Sequence, residues 1–262
     1  MGHGIDVCLA DPSKAESLEE CMESEFVACL IRHAGLVIVG LRPAALFGFS
    51  PRCWREKSDA RQTRRLSNQL FWTYAQLFDE YGIRLTWLAR RANGQTMLAW
   101  RPAAVAEILE DEASRAFLRE QGLPMQNTEE LMSAMIGRLR AYYAGQGGQN
   151  YRGSRCGQIS QAGRASQISQ PTQAVQHDFP HEVGLVLGYP LEDIRGFMAD
   201  GGRGAVVTGR WKVYGDVESA CRRFDELERA ECRLKQLYAE GTPMREFLRM
   251  GNGMAVSRTC EA

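Results

Sequence analysis

Lysine is scarce in this 262-residue chain. It stands only at Lys14, Lys57, Lys212 and Lys235, and every other fixed cation is an arginine. GC-rich codon use is the plain cause of such a bias, and a lysine that persists within it is a mild sign that an ammonium is wanted there. The chain also lacks net charge: 32 Lys+Arg balance 32 Asp+Glu. That removes the basic excess of a nucleic-acid binder and any long-range pull on acidic partners, so no nucleic-acid partner is expected. Apolar runs long enough to span a bilayer are missing too, so no membrane partner is expected. The amino end carries Asp6, Asp11, Glu16, Glu19 and Glu20 where a secretory signal would need a charged start and an apolar run. None of the eight cysteines forms a C-x-x-C pair or a zinc spacing. They read as reduced thiols, mostly small core hydrophobes, in a cytoplasmic protein.

Several catalytic signatures are absent as well. There is no G-x-S-x-G and no cysteine nucleophile signature. Gly201-Gly202-Arg203-Gly204 lacks the Lys-Ser/Thr of a phosphate loop and reads as a turn. His177 and His181 are four apart, but Pro180 lies between them and keeps them off one helical face, so no metal site is expected. No cofactor is indicated, and its identity stays unknown.

What is present is a mixed pattern of periods. Residues 1–16 read as a loose leader. Ser17 and Glu20 form a capping box for a helix to His33, which Gly35 is expected to end. Leu36 to Val39 then reads as a buried strand, and Pro43 as the opening of a helical turn through Phe47. Leu66, Leu70, Phe71, Tyr74, Leu77 and Phe78 form one helical stripe, closed by Gly82. Ile83 to Arg101 is a hairpin around Asn93-Gly94, apolar on both faces and therefore covered on both. Pro102 starts a helix that continues or restarts to Gln121, and Asn127 caps another to Tyr143. Residues 144–176 are rich in Gly, Gln and Ser and too poor in apolar residues to offset their ordering entropy, so they are expected to be a flexible, disordered insert. Beyond it, Thr208 to Tyr214 reads as a strand and Asp216 as the cap of a long helix, with a last short helix through Leu248. The expected class is α+β: a small, mostly antiparallel sheet covered by helices. Its domain runs over residues 17–143 and 177–250, with a frayed tail at 251–262.

The stretch Asp178 to Asp193 concentrates the chemistry. Pro180 and Pro190 each suit the first turn of a helix, giving two short helices with a corner at Gly188-Tyr189. Glu182, Glu192 and Asp193 then sit in first turns, where the helix dipole alone accounts for acids. His181 and Tyr189 are not required by any helix, and both can exchange protons or hydrogen-bond. Period two in the late strand places Arg210, Lys212 and Tyr214 on one face and Trp211 and Val213 on the other. A charged edge that resists aggregation explains that face equally well. Brought together, the groups suit a small anion, a carbonyl or a phosphate.

Phe179-Pro180-His181-Glu182-Val183-Gly184-Leu185-Val186-Leu187-Gly188-Tyr189-Pro190-Leu191-Glu192-Asp193-Ile194-Arg195-Gly196-Phe197, followed by Gly209-Arg210-Trp211-Lys212-Val213-Tyr214, resembles the signature of a bacterial family catalogued as domain of unknown function 3793. The block from Ala34 to Phe47 and the hairpin end Trp100-Arg101-Pro102 fit the same pattern. Arg42 departs from it by standing where the family pattern has a lysine, and Trp100 by standing where it has a tyrosine. The resemblance implies a shared fold and identifies no catalytic residue.

The leading expectation is a cytoplasmic binding or accessory protein. Its polar pocket, for a small anionic ligand or a cofactor-bearing partner, is formed by Tyr189, Asp193, Arg210, Lys212, Tyr214 and Arg42 beside His181 and Glu182. The alternative is an enzyme with His181 as general acid/base, Glu182 orienting it, and Lys212 or Tyr214 steadying an anion. A third class is a module that only engages a protein partner.

Overall fold

A computed structural model describes residues 17–52, 60–91, 94–145 and 178–258. In chain order the elements are α1 (Leu18–Ile38), β1 (Ala44–Phe49), α2 (Ala60–Asp79), β2 (Arg84–Arg91), β3 (Gly94–Trp100), α3 (Pro102–Glu110), α4 (Glu112–Glu120) and α5 (Thr128–Gly145). These are followed by α6 (Val183–Val186), α7 (Leu191–Asp200), β4 (Val207–Thr208), β5 (Lys212–Val213), α8 (Val217–Ala239) and α9 (Met244–Arg258). The class is α+β, as the periods indicate, with mostly helical elements and a small antiparallel sheet. The leader at 1–16, the insert from residue 146 on, and Asn93 in the hairpin turn lie outside the described residues. The chain divides into two compact units, residues 1–105 with 227–262, and residues 106–226.

In the first unit β3 is the middle strand of an antiparallel sheet ordered β1-β3-β2. Phe47 and Trp87 lie opposite Met97 from either side, and Phe49 lies opposite Gln95. Strand alternation places these residues on one face. Helices α1 and α2 cover it: Phe26 meets Phe49 edge-on at 4.9 Å, and Phe71 lies 5.4 Å from Trp87. Phe26, Phe71, Tyr74 and Met97 are all but sealed. A fully buried side chain of this size contributes about 1.5–3 kcal/mol, so this layer carries much of the unit's stability. Every residue of β3 after Gly94 is buried, so both faces are covered, as the doubly apolar hairpin predicts.

Two local expectations are corrected here. Helix α1 starts at the Ser17–Glu20 capping box but does not stop at Gly35. A Cβ at Gly35 would come within 3.0 Å of the Leu234 side chain, so the glycine serves close packing inside the helix. The stop comes at Gly40, with φ +76°, where Gly40 N–H donates to Val37 (3.0 Å) and Leu41 N–H to Leu36 (2.8 Å). Leu36 to Val39 is therefore the end of a buried helix, because a short apolar run looks the same in either conformation. After Pro43 the chain forms β1 rather than a helical turn, since pairing with β3 supplies a ladder that an isolated turn cannot match.

Arg101, directly after β3, fastens this arrangement. It is buried, and its Nε and Nη2 donate to the carbonyls of Val37 and Ile38, both at 2.7 Å. The last carbonyls of a helix have no partner within it and carry partial negative charge, which the guanidinium satisfies on both counts. Burial holds its proton affinity below the ordinary arginine value.

In the second unit Asp111 separates α3 from α4 by accepting from Ser114 N–H at 2.8 Å, an N-cap that restarts the helix. Asn127 caps α5 through Glu130 N–H (2.9 Å). The late strand is shorter than expected. Gly209 N–H donates to the Trp211 carbonyl at 3.0 Å, so residues 209–211 are a turn and only Lys212–Val213 pairs, with Val207–Thr208. This ribbon is separate from the three-stranded sheet.

Candidate ligand pocket

The site begins at the proline-led corner. Val183 N–H donates to Pro180 and Gly184 N–H to His181, forming a tight turn that α6 continues. Gly188, with φ +81°, closes α6: its N–H donates to the Leu185 carbonyl and the Tyr189 N–H to the Gly184 carbonyl, both at 2.9 Å. Pro190 caps α7. A left-handed residue is needed at this corner, and glycine adopts it without steric cost.

Three carboxylates then tie the segment together. Asp193 is buried and accepts from Trp211 Nε1 (2.7 Å), Tyr214 N–H (2.7 Å) and Gly215 N–H (3.0 Å). It thereby fixes the ribbon and the indole against the start of α7. Glu182, also buried, pairs with Arg138 of α5 at 2.6 Å, and Arg138 donates as well to the Gln121 carbonyl at 2.7 Å. Breaking a buried pair of this kind costs about 3–5 kcal/mol, and the half-wet arginine places this one toward the lower end. Asp200 accepts from Gly202 N–H (2.7 Å), Arg203 N–H (3.2 Å) and Tyr214 OH (2.5 Å). The glycine-rich turn thus folds around the chain's own carboxylate. The Tyr214 bond, with those amides, holds Asp200 below the usual carboxylate range. Burial first, then Asp200, pushes Tyr214 up to about 12.

Between the corner, α7 and the ribbon lies a pocket of about 70 Å³. Val183, Leu187 and Ile194 form its buried aliphatic side, and Thr208 and Gly209 its exposed lip. One wall is aromatic. The His181 ring lies 5.5 Å from Phe179 and 4.9 Å from Phe197, and Phe179 meets Tyr142 edge-on at 5.2 Å. Tyr189 and Trp211, also in the lining, pack at a tilt with their rings 5.4 Å apart, and Phe224 packs edge-on against Trp211 at 4.5 Å. Lys212 Nζ donates to the Gly202 carbonyl at 2.5 Å and stands 5.8 Å from the Phe197 ring centroid.

His181 is the distinctive polar group. Its packed surroundings lower its pKa from the ordinary value, since burial outweighs the opposing pull of Glu182 and Asp178. The imidazole is thus largely neutral near pH 7, with one nitrogen donating and the other accepting. Neither ring nitrogen has a hydrogen-bond partner among the described residues.

Of the sequence-derived site residues, His181, Tyr189, Asp193, Arg210 and Lys212 line this one pocket. Asp193 does so with three donors already on its oxygens. Glu182 and Tyr214 are not in the lining; they serve Arg138 and Asp200. Arg42 belongs to the first unit. Trp211, which strict alternation sends to the far face, joins Arg210 and Lys212 in the lining because the turn at 209–211 breaks the period. Phe179, Phe197 and the aliphatic wall lie inside the signature string but were not among the expected site residues. Arg138 has no local signal, being 44 residues from its partner. The outcome is a pocket more apolar than the polar one expected.

Among the described residues no cluster of three or more His, Cys, Asp or Glu could hold a metal ion. Also among them, no helix is long and apolar enough to cross a membrane. The family model described as "Protein of unknown function (DUF3793)" matches residues 30–248. No curated protein and no solved structure matches the chain.

Proposed function

The chain belongs to the DUF3793 family of proteins of unknown function, and from that premise we propose that it is a binding or accessory protein of the cytoplasm. Its pocket takes a small ligand with an apolar body and one anionic or carbonyl end. The observation that carries this reading is His181: an imidazole with no hydrogen-bond partner among the described residues, set in an aromatic and aliphatic pocket, with an ammonium on the same phenyl ring. Small-ligand sites combine a mostly apolar lining with few convergent polar groups in this way. Cys21, Cys29, Cys221 and Cys232, which form no disulfide among the described residues, suit a reducing compartment.

The enzymatic alternative draws on the same imidazole, which as a neutral base is in the right protonation state at pH 7. It loses its orienting carboxylate, because Glu182 is engaged by Arg138. Binding is therefore the better-supported function.

Ligand-observed NMR with a library of fragment-sized anions, carbonyl compounds and alcohols tests it. Binding is expected to wild type and to vanish in Thr208→Trp, which fills the exposed lip without touching the core. Hits that bind both proteins equally, or no hits at all, would remove the pocket from consideration.

A further inference from the structure

The even charge of the whole chain hides an uneven distribution. From residue 60 to residue 78 helix α2 carries arginines and no acid, and β2, whose Trp87 packs against α2 at Phe71, has no acid either. The acids at the far end of α2 and on α1 are already engaged. Asp79 pairs with Arg84 and Glu80 with Arg245, while Glu23 accepts from Tyr74 OH at 3.0 Å and Glu25 from Arg52 N–H at 2.6 Å. Arg64 and Arg65 are exposed and enter no ion pair among the described residues. Arg90 reaches the same side from β2. Its guanidinium lies 3.9 Å from the Trp87 ring centre and donates to Asn68 Oδ1 at 3.3 Å, so no carboxylate answers its charge.

Trp72 shares this face. At 60% exposure it is the one large apolar side chain of the first unit left to solvent among the described residues. Its ring meets Phe71 edge-on at 5.1 Å. Helix spacing of three and four sets Asn68, Gln69 and Gln76 around it, with Arg64 and Arg65 one turn further on. A surface that docks a protein has an apolar centre. Here a single indole is surrounded by amides and guanidiniums instead. That is the composition of a stacking platform, in which an aromatic ring takes an unpaired base and cations follow the phosphates.

We infer that this face of α2 binds single-stranded nucleic acid, with a base stacked on Trp72 and backbone phosphates met by Arg64, Arg65 and Arg90. The amides of Asn68, Gln69 and Gln76 offer donors and acceptors to base edges. This replaces the expectation, drawn from whole-chain charge, of no nucleic-acid partner. It concerns the first unit and does not rest on the pocket reading. Three cations on a neutral chain make a short, salt-sensitive contact. At about 0.7 per neutralised phosphate, log affinity should fall against log salt with a slope of about −2.

Fluorescence anisotropy of the full chain with fluorescein-labelled oligo(U) and oligo(dT) of about 15 nucleotides, from about 50 to 200 mM salt, tests this. RNA and DNA share the stacking and phosphate chemistry, so the tighter of the two oligonucleotides names the source and either preference supports the inference. Trp72→Leu should weaken binding at least about fivefold and leave the salt slope unchanged, whereas Trp72→Phe keeps most of the affinity. Arg64→Gln together with Arg65→Gln should bring the slope to about −0.7. The two sets of variants move different readouts, which loss of folding cannot do. Duplex DNA bound as tightly as oligo(dT) would overturn the stacking role. A polyglutamate peptide bound more tightly than either oligonucleotide would overturn the inference and assign the face to an acidic protein. Binding by Trp72→Leu equal to wild type, or no binding at about 50 mM salt, would overturn it outright.

Discussion

Replacing Asp193 by alanine removes one acceptor from three donors at once: the Trp211 indole and the amides of Tyr214 and Gly215. The side chain is only 4% exposed, so water does not readily take its place. Each buried donor left unsatisfied costs about 1–3 kcal/mol, and loss of an acid from a helix first turn adds roughly 0.3–1 kcal/mol. Allowing for one water entering the vacated space, Asp193→Ala should lose about 3–5 kcal/mol. Asp193→Asn keeps the shape, but its NH₂ must oppose at least one N–H donor, so roughly 1–3 kcal/mol is expected. Urea unfolding read by the fluorine resonance of 5-fluorotryptophan at Trp211 isolates the second unit from the other four tryptophans. Trp211→Phe supplies the second leg of a double-mutant cycle, with a coupling of about 1–2 kcal/mol between the two positions. An Asp193→Ala loss below about 1 kcal/mol, or a coupling near zero, would refute the anchoring role. A stable Asp193→Ala that no longer binds the hits of the NMR library would make Asp193 a ligand group instead.

Two further outcomes are expected. Glu182→Gln should cost about 2–4 kcal/mol by leaving Arg138 without its anion, and adding Arg138→Met should recover part of that loss in the same urea titration. His181 has a folded-state pKa below its ordinary 6.5, so the unfolded chain takes up its proton first as pH falls. Stability relative to the non-titrating His181→Phe should be constant above about pH 7. It should decline as pH drops through 6.5 and level off below the lowered folded pKa. A difference that stays constant from pH 8 to 5 would show that the ring is not desolvated.

Elements with one strong period were legible in the chain. The α2 stripe, the hairpin and the capping boxes depend on neighbours within a few residues, and those neighbours are visible in any window. Gly35 was misread because its reason is Leu234, about two hundred residues away, and nothing local separates a packing glycine from a stop. Ala44 to Phe49 became a strand through pairing with β3, a partner beyond local view. The same division holds at the site. Side-chain chemistry and the late strand's period singled out His181, Tyr189 and Lys212, and they do share one pocket. The roles of the acids were not legible, since Glu182 answers to an arginine on another helix and Asp200 to a tyrosine beyond the turn. A carboxylate's employment is decided by which donors the fold delivers to it, and only the folded chain shows that delivery.

The Arg101 clamp bears on the order in which the first unit can be finished. On a growing chain α1 leaves the ribosome with the Val37 and Ile38 carbonyls open, and the residue that closes them is translated 64 positions after Val37. Domains fold as units during synthesis, so until the hairpin has been made the opening helix is a segment awaiting its lock. A nascent fragment that stops short of β3 would hold a capped beginning and an unsealed end.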